Sequence, residues 1–316
     1  MTQEELSIGV DMGGTSIKFA VVQGTQIVYK AEPMQTTDYA SPDAIVEEIG
    51  KRLRAIMELY PAVKAVGMGL PGFVDHKAGV VDSLTNVPGW YDIHIRDILS
   101  DATGLPAAVD NDANCMAYAE WKLGAGRGMN DLVCLTLGTG IGGCIVVHDR
   151  MLRGRNVSCA ELGQTSIHYA GRVGPFGNRG AVEEYIGNNE FAADAAAAYT
   201  AAGIPRQAQE CAPHLLAQAA LRGDALALQQ FRNYAEKLAC LIMNLTYALV
   251  PEAIIIGGGV AQAGDLLFTP LRQALKKQLF PVHYDAMRLL PAHFGADSGL
   301  IGAGLMAVDY AHGKLF

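Results

Sequence analysis

The stretch VDNDANCMAYAEW, from Val109 to Trp121, sets Asp110, Asn111, Asp112 and Asn114 where an apolar run gives way to a helical pattern. One Asp or Asn at such a junction caps the helix by accepting the free N–H groups of its first turn. Four polar residues exceed what one cap needs. A carboxylate held on a rigid helix start can also take the proton of a substrate hydroxyl, with a neighbouring amide holding that hydroxyl in place. Asp112 is the candidate base.

A second chemistry is anion binding. The stretches DMGGTSIK (11–18) and LGTGIGGC (137–144) each place a glycine turn after an apolar run, and IIIGGGV (254–260) ends a third run in glycines. Tight glycine turns expose backbone N–H groups in a concave anion site, since glycine accepts positive φ and lets the main chain approach an oxygen. Gly13, Gly14, Gly138, Gly140, Gly257, Gly258 and Gly259 are the candidates. The hydroxyls of Thr15 and Thr139 add donors at matching places, and Asp11 stands where an acid could meet a phosphate-bound Mg²⁺, directly or through water. One such turn alone is an ordinary hairpin; two matched turns and a third glycine run point to a polyphosphate. No G-x-x-x-x-G-K-[ST] loop is present, and IIIGGGV lacks G-x-G-x-x-G with a following acid, which sets aside P-loop and dinucleotide chemistry.

Glu161 in CAELGQ and Glu183 in RGAVEEY lie beside glycine-rich stretches and could accept hydrogen bonds from vicinal sugar hydroxyls, although lone acids are more often solvated surface groups. The eight histidines form no H-x-x-x-H pair and read as surface or satisfied core residues.

These residues need elements to hold them. LSIGVDMGGTSIKFAVVQGTQIVYKAE alternates apolar runs with glycine turns and predicts a β-meander. A helix is predicted from Pro42 to Tyr60, started by Ser41 or Asp43, with Ile45, Ile49, Leu53, Ile56 and Met57 at helical spacing. AVKAVGMGLPG predicts a buried strand ending in a loop, AAV a short strand, and Asp112 to Leu123 a helix. The stretch from Asp131 opens a second meander, and its pairing with the first is an internal repeat of strand, Gly and Thr turn, strand. Beyond it come an Ala-rich helix near 190–202, a long helix from about Asp224 to Leu249, the strand before Gly257, and a last helix from an N-cap at Ser298 to about Tyr310. The glycines in its first turns predict close packing.

Half of the 316 residues are apolar, enough for a large core, and the length predicts two lobes with a site between them. The net charge of −8 argues against general binding to nucleic acid or anionic membranes. Six scattered cysteines without a C-x-x-C pair, and no leader before them, predict reduced core residues of a cytoplasmic protein. The most apolar helical stretch, LACLIMNLTYALV, is interrupted by Asn244 and Thr246 and is too short to cross a bilayer.

Taken together and in this order, almost from end to end, the motifs resemble the ROK family of sugar kinases, which shares the actin-like ATPase (ribonuclease H-like) fold with hexokinases. DMGGTSIK resembles its first phosphate motif and LGTGIGGC its second. GLPGFVD, with Gly72, and NVPGW, with Asn86, resemble its sugar-side loops; DNDAN resembles the catalytic E-N-D-A-N, AELGQ the motif G-E-x-G-H, and IIIGGGV the adenosine-side loop. The resemblance implies a two-lobed α/β fold: a smaller lobe of residues 1–115 joined by the C-terminal helix from about 299, a larger lobe of 116–298, and a cleft holding both substrates. It implies phosphoryl transfer from MgATP to a hexose, usually at the 6-hydroxyl. Asn111, Glu161, Gln164 and Glu183 would orient the sugar, with Gly72 and Asn86 beside it, Lys18 and the glycine turns would hold the nucleotide, and Asp112 would be the base. A homodimer is implied by the family alone. NVPGW favours glucose; another hexose or N-acetylhexosamine (N-acetylglucosamine, N-acetylmannosamine, allose, fructose), or a non-catalytic sugar sensor, is the alternative. ROK repressors carry a winged-helix region ahead of the sugar domain, and the short stretch before Asp11 predicts none here.

One loop departs from the pattern. GPFGNRGAVEEY (174–185) lies where most members carry C-x-C-G-x-x-G-C-x-E, whose cysteines bind a structural zinc together with the His of G-E-x-G-H. Gln164, Gly174, Phe176 and Ala181 stand at the four ligand places. The expectation is therefore no structural zinc, with apolar packing of Phe176 replacing the metal. In the family that His also touches the sugar near C1 and C2, so Gln164 bears on sugar preference. Smaller departures are Asp110 for Glu, Ser16 for Lys, and Ala160 for the Gly before the Glu.

Overall fold

The computed structural model describes residues 5–84, 89–154 and 159–315. The chain forms two compact units. One comprises Met1–Gly128, Arg153–Cys159 and Asp297–Phe316, the other Met129–Leu152 and Ala160–Ala296.

The first unit is built on a sheet of order Gln26–Lys30, Ser16–Gln23, Leu6–Met12, Ala65–Leu70, Ala107–Asn111, with the short strand Met34–Gln35 also on Ser16–Gln23. The N-terminal three are antiparallel, as the glycine turns require, and the last two join in parallel. Side chains alternate across the sheet. Ile8, Val10 and Met12 enter one core with Ile45, Ile49, Leu53 and Ile56 of the helix Pro42–Leu59, which Ser41 caps by accepting from Ala44 N at 3.2 Å.

The other sheet face takes the helix Ser298–Ala311, which also packs on the helix Asp112–Lys122. Contact there is backbone to backbone: a side chain at Gly67 would strike the Ala303 carbonyl, and one at Gly302 the Cys115 carbonyl. The expected close packing is thus present. The N-cap is Asp297 rather than Ser298, whose hydroxyl instead donates to the buried Glu120 at 3.0 Å. Because Asp112–Lys122 belongs here, the first unit runs beyond residue 115 to Gly128. A small antiparallel sheet of Phe73–Asp75, Val80–Ser83 and Tyr91–Ile93 follows the Gly72 loop.

The second unit repeats the plan with Arg150–Met151, Ile141–Val147, Leu132–Leu137, Ala253–Gly257 and Arg288–Pro291 in order, again antiparallel and then parallel. Its core is filled by the helices Asn188–Ala201, Pro213–Leu221, Ala225–Leu249 and Asp265–Gln278. Asp224 caps the long helix, accepting from Leu226 N and Ala227 N. Four of the six cysteines, Cys115, Cys134, Cys144 and Cys211, are buried. No helix among the described residues is long and apolar enough to cross a membrane.

Candidate active site

In the first unit the parallel register sets Asp11, Gly69 and Asp110 side by side near the carboxyl ends of three adjacent strands. Gly69 keeps the row open for Cys115: a methyl group there would stand 3.1 Å from Cys115 Sγ. That thiol is pushed well above its usual range by burial first, and then by the charges of Asp110, Asp11 and Asp112. Three carboxylates therefore gather around one buried group. Burial also raises the Asp11 carboxyl; Lys18, at 3.3 Å, pulls it down, and Asp297 adds to the rise. Lys18 thus meets Asp11 directly.

The expected catalytic segment resolves into separate roles. Asn111 is the N-cap: its Oδ1 accepts from Ala113 N at 2.9 Å and Asn114 N at 3.4 Å. Its Nδ2 donates to Gly72 O at 3.2 Å. Gly72 has φ +89°, and a side chain there would meet Ser83 O at 2.5 Å, so this carbonyl depends on glycine. The Asn111 amide is accordingly bonded within the protein at both ends. Asp110 is 2% exposed, lies 2.6 Å from Arg153 Nη2, and accepts from Asn111 N at 2.7 Å and Asn114 Nδ2 at 2.8 Å. Asp112 opens the helix half-buried, with Oδ1 2.8 Å from Ala113 N. Arg153 and the neighbouring buried His76 escaped sequence reading, since no local pattern links them to residue 110. Burial first, and then the Arg153 charge, holds the His76 ring below its usual range. Asn86 lies outside the described residues.

The first glycine turn closes through Gly13 N donating to Ser16 O at 2.8 Å. Thr36 pins it, donating from its N–H to Thr15 O at 2.9 Å and from its hydroxyl to Gly14 O at 3.2 Å. Thr15 is exposed.

In the second unit Gly138 N donates to Gly140 O at 3.0 Å, and Asn188 N, at a helix start, donates to Gly138 O at 3.0 Å. Thr139 lies at the tip, exposed like Thr15. The expected positive φ is not found at Gly13, Gly138 or Gly140. Room, not dihedral freedom, explains Gly140, because a side chain there would collide with Glu183 Oε2. Gly258 does have φ +88° and packs on the Leu137 backbone, while Gly257 pairs with Thr136, so the third glycine run lies against the second turn. Gly259 has open space around it.

Glu183 Oε2 accepts from Ile141 N at 2.8 Å, and its Oε1 accepts from Gln164 Nε2 at 3.1 Å. Glu161 is exposed at the centre of an inverse γ-turn, closed by Leu162 N donating to Ala160 O at 2.7 Å. Ala160 itself has φ +63°. That is the left-handed conformation a glycine would adopt without steric cost.

The loop 174–185 corrects a further expectation. Phe176 is 63% exposed, so it is not the apolar plug expected in place of the metal. Asn178 Nδ2 instead donates to Gln164 O at 3.2 Å and Gln164 Oε1 at 3.1 Å. Sequence reading missed this residue, because an Asn between glycines signals only a turn.

The ROK family model matches residues 7–309. The chain is 35% identical over 308 residues to a glucokinase of Halalkalibacterium halodurans, covering 94% of this chain and 93% of that protein. It is 32% identical over 307 residues to a glucokinase of Thermotoga maritima, covering 94% and 95%. A ROK family glucokinase from Streptomyces griseus, solved with glucose and AMPPNP, superposes with a TM-score of 0.83 at 31% identity over 96% of this chain and 99% of that one. The fold is thus the actin-like ATPase fold of that structure's family.

Proposed function

The chain belongs to the ROK family and is an ATP-dependent sugar kinase, and from that premise we propose that it phosphorylates the 6-hydroxyl of glucose, with Asp112 as general base. The observation that carries the choice of base is the contrast between neighbouring carboxylates. Asp110 is buried and ion-paired with Arg153, whereas Asp112 is half-buried on the first residue of a helix whose cap is supplied by Asn111. A group that takes a substrate proton must be reachable, and only Asp112 of the two is.

Phosphoryl transfer asks little covalent chemistry of a protein; it rests on positioning and on stabilising charge on the transferred group. The backbone donors of the Gly13–Thr15 and Gly138–Gly140 turns and the Gly257–Gly259 run would hold the phosphates, with Lys18 beside the first. Asp11 fits Mg²⁺, since a half-buried carboxyl whose ionisation is disfavoured gains from a cation. Mg²⁺ when bound would neutralise phosphate charge. Glu161, Gln164 and Glu183 would orient the sugar, with Gly72 and Asn111 setting the angle of the Asp112 helix start and Asn86 adding a sugar contact. Asp112 would take the hydroxyl proton as oxygen attacks phosphorus. A cytoplasmic homodimer completes the reading, on family resemblance.

ATP-coupled turnover with glucose, mannose, fructose, allose, N-acetylglucosamine and N-acetylmannosamine tests it. Glucose should give the highest kcat/KM. A higher value for an N-acetylhexosamine would replace glucose, and no turnover with any sugar would sink the kinase reading.

A further inference from the structure

A structural zinc, implied by the family resemblance, does not fit this loop. Its four places hold Gln164, Gly174, the exposed Phe176 and the fully buried Ala181, none of which binds zinc well. The interior beside two of those places is filled by a side chain: Asn178 Oδ1 lies 2.6 Å from where a side chain on Gly174 would begin, and Asn178 Nδ2 holds Gln164. We propose that Asn178 is a positioning residue that takes the metal's part, setting Gln164 and, through it, Glu183 and the backbone of the second glycine turn. This rests on the kinase reading above.

The hydrogen bonds have one consistent direction. Asn178 donates to Gln164 Oε1 at 3.1 Å, Gln164 Nε2 donates to Glu183 Oε1 at 3.1 Å, and Ile141 N donates to Glu183 Oε2 at 2.8 Å. Reversing the Gln164 amide would set its oxygen against a carboxylate and its NH₂ against the NH₂ of Asn178, so Asn178 selects the orientation. Ile141 directly follows Gly140, whose missing side chain leaves room for Glu183. The chain of bonds thus runs from the loop to the turn.

The loop backbone holds Asn178 in place. Gly174 N donates to Asn178 O at 2.8 Å, Gly177 N to Gly174 O at 3.0 Å and Gly180 N to Arg172 O at 2.7 Å, with bridges between Ser166 and Ala181 and between Val173 and Arg179. Glycine at 174 and asparagine at 178 therefore form a pair: the first leaves the space that the second fills. A cysteine at 174, as in the pattern the loop resembles, would displace Asn178.

The test compares Asn178→Ala, Asn178→Asp and Gly174→Ala with the wild type. Steady-state kinetics are read against sugar and ATP, and amide hydrogen exchange by mass spectrometry on peptides covering 138–143 and 172–182. Asn178→Asp keeps the shape without the donor; Gly174→Ala pushes the side chain aside. Each should raise the sugar KM roughly 3- to 10-fold, the range for losing a hydrogen bond, with a smaller change in kcat. Each should also speed exchange at Ile141. The double variant Gly174→Ala with Asn178→Ala should be no worse than Asn178→Ala alone, because the clash needs the Asn178 side chain. A residue that only shaped its own loop would speed exchange in 172–182 and leave 138–143 unchanged, and that result overturns the proposal. Should the wild type phosphorylate no sugar, the kinase reading falls, while the exchange data still decide the role of Asn178.

Discussion

The two glycine turns stand on matching strands and are held by different means. Asp11 is the penultimate residue of its strand and pairs in parallel with Gly69; Thr136 is the penultimate residue of its own and pairs in parallel with Gly257. An acid in one unit thus takes the place of a hydroxyl in the other. The first turn spans Gly13 to Ser16 between the paired residues Met12 and Ile17, and leans on Thr36 and the Asp11–Lys18 pair. The second is one residue shorter, Gly138 to Gly140 between Leu137 and Ile141, and is held by Glu183 and by the N–H of Asn188. A repeated backbone plan therefore does not repeat its chemistry. The first unit collects carboxylates, while the second sets one carboxylate against a turn of neutral donors.

The largest test of that division removes the proton acceptor from the acidic unit. Asp112→Asn keeps size and hydrogen bonding, and kcat and kcat/KM should fall by roughly 10²- to 10⁴-fold with sugar binding retained. Because Asn111 is the helix cap, the substitution should leave thermal stability almost unchanged. Near-normal turnover of the folded variant would remove Asp112 from the mechanism, and the buried, Arg153-bound Asp110 would be a poor successor.

The same change made in both turns sharpens the comparison. A methyl group on Gly140 would collide with Glu183 Oε2, whereas one on Gly13 would sit 3.5 Å from Ser16 O, an ordinary contact. Gly140→Ala should raise the ATP KM on the order of 10-fold, as overpacking of about 1–3 kcal/mol implies, and Gly13→Ala by less than about 2-fold. Equal effects in the two turns would erase the distinction drawn between them.

Ala160→Gly probes the loop before Glu161. A residue with a side chain at φ +63° carries strain of roughly 1–2 kcal/mol, partly offset by the greater freedom glycine has in the unfolded chain. The net gain of about 0.5–1 kcal/mol should lift Tm by about 2 °C, seen by calorimetry. A lower Tm would show that the Ala160 methyl contributes packing that outweighs its strain.

The smallest expected effect is none. Protein purified without a metal-affinity tag should contain far less than one equivalent of zinc by elemental analysis, and chelator treatment followed by Mg²⁺ should leave Tm and turnover unchanged. Stoichiometric zinc whose removal unfolds the protein would contradict the role given to Asn178.

Much of the fold was legible because its signals are local. Ser41 before a run of apolar residues at helical spacing predicts a helix to Tyr60, and the helix runs Pro42–Leu59. Glycines between apolar runs predict the meanders, and Asp224 marks the start of the long helix it caps. Which of four polar residues caps the helix after 111 was not legible, since Asp and Asn serve equally well and the choice falls to Asn111 through its second bond, to the carbonyl of Gly72.

By itself the sequence determined the meanders, most helix starts, the family and the residue types available for proton acceptance and phosphate binding. Each of these depends on neighbours along the chain, or on motifs in a set order. Only the tertiary structure decided that Asp110 is neutralised by Arg153, that Glu183 is why position 140 is glycine, and that Asn178 rather than Phe176 fills the altered loop. The physical reason is range. A cap or a turn is set by bonds within a few residues, whereas an ion pair, a steric limit and a donor's choice of acceptor depend on groups that folding alone brings within about 3 Å of each other.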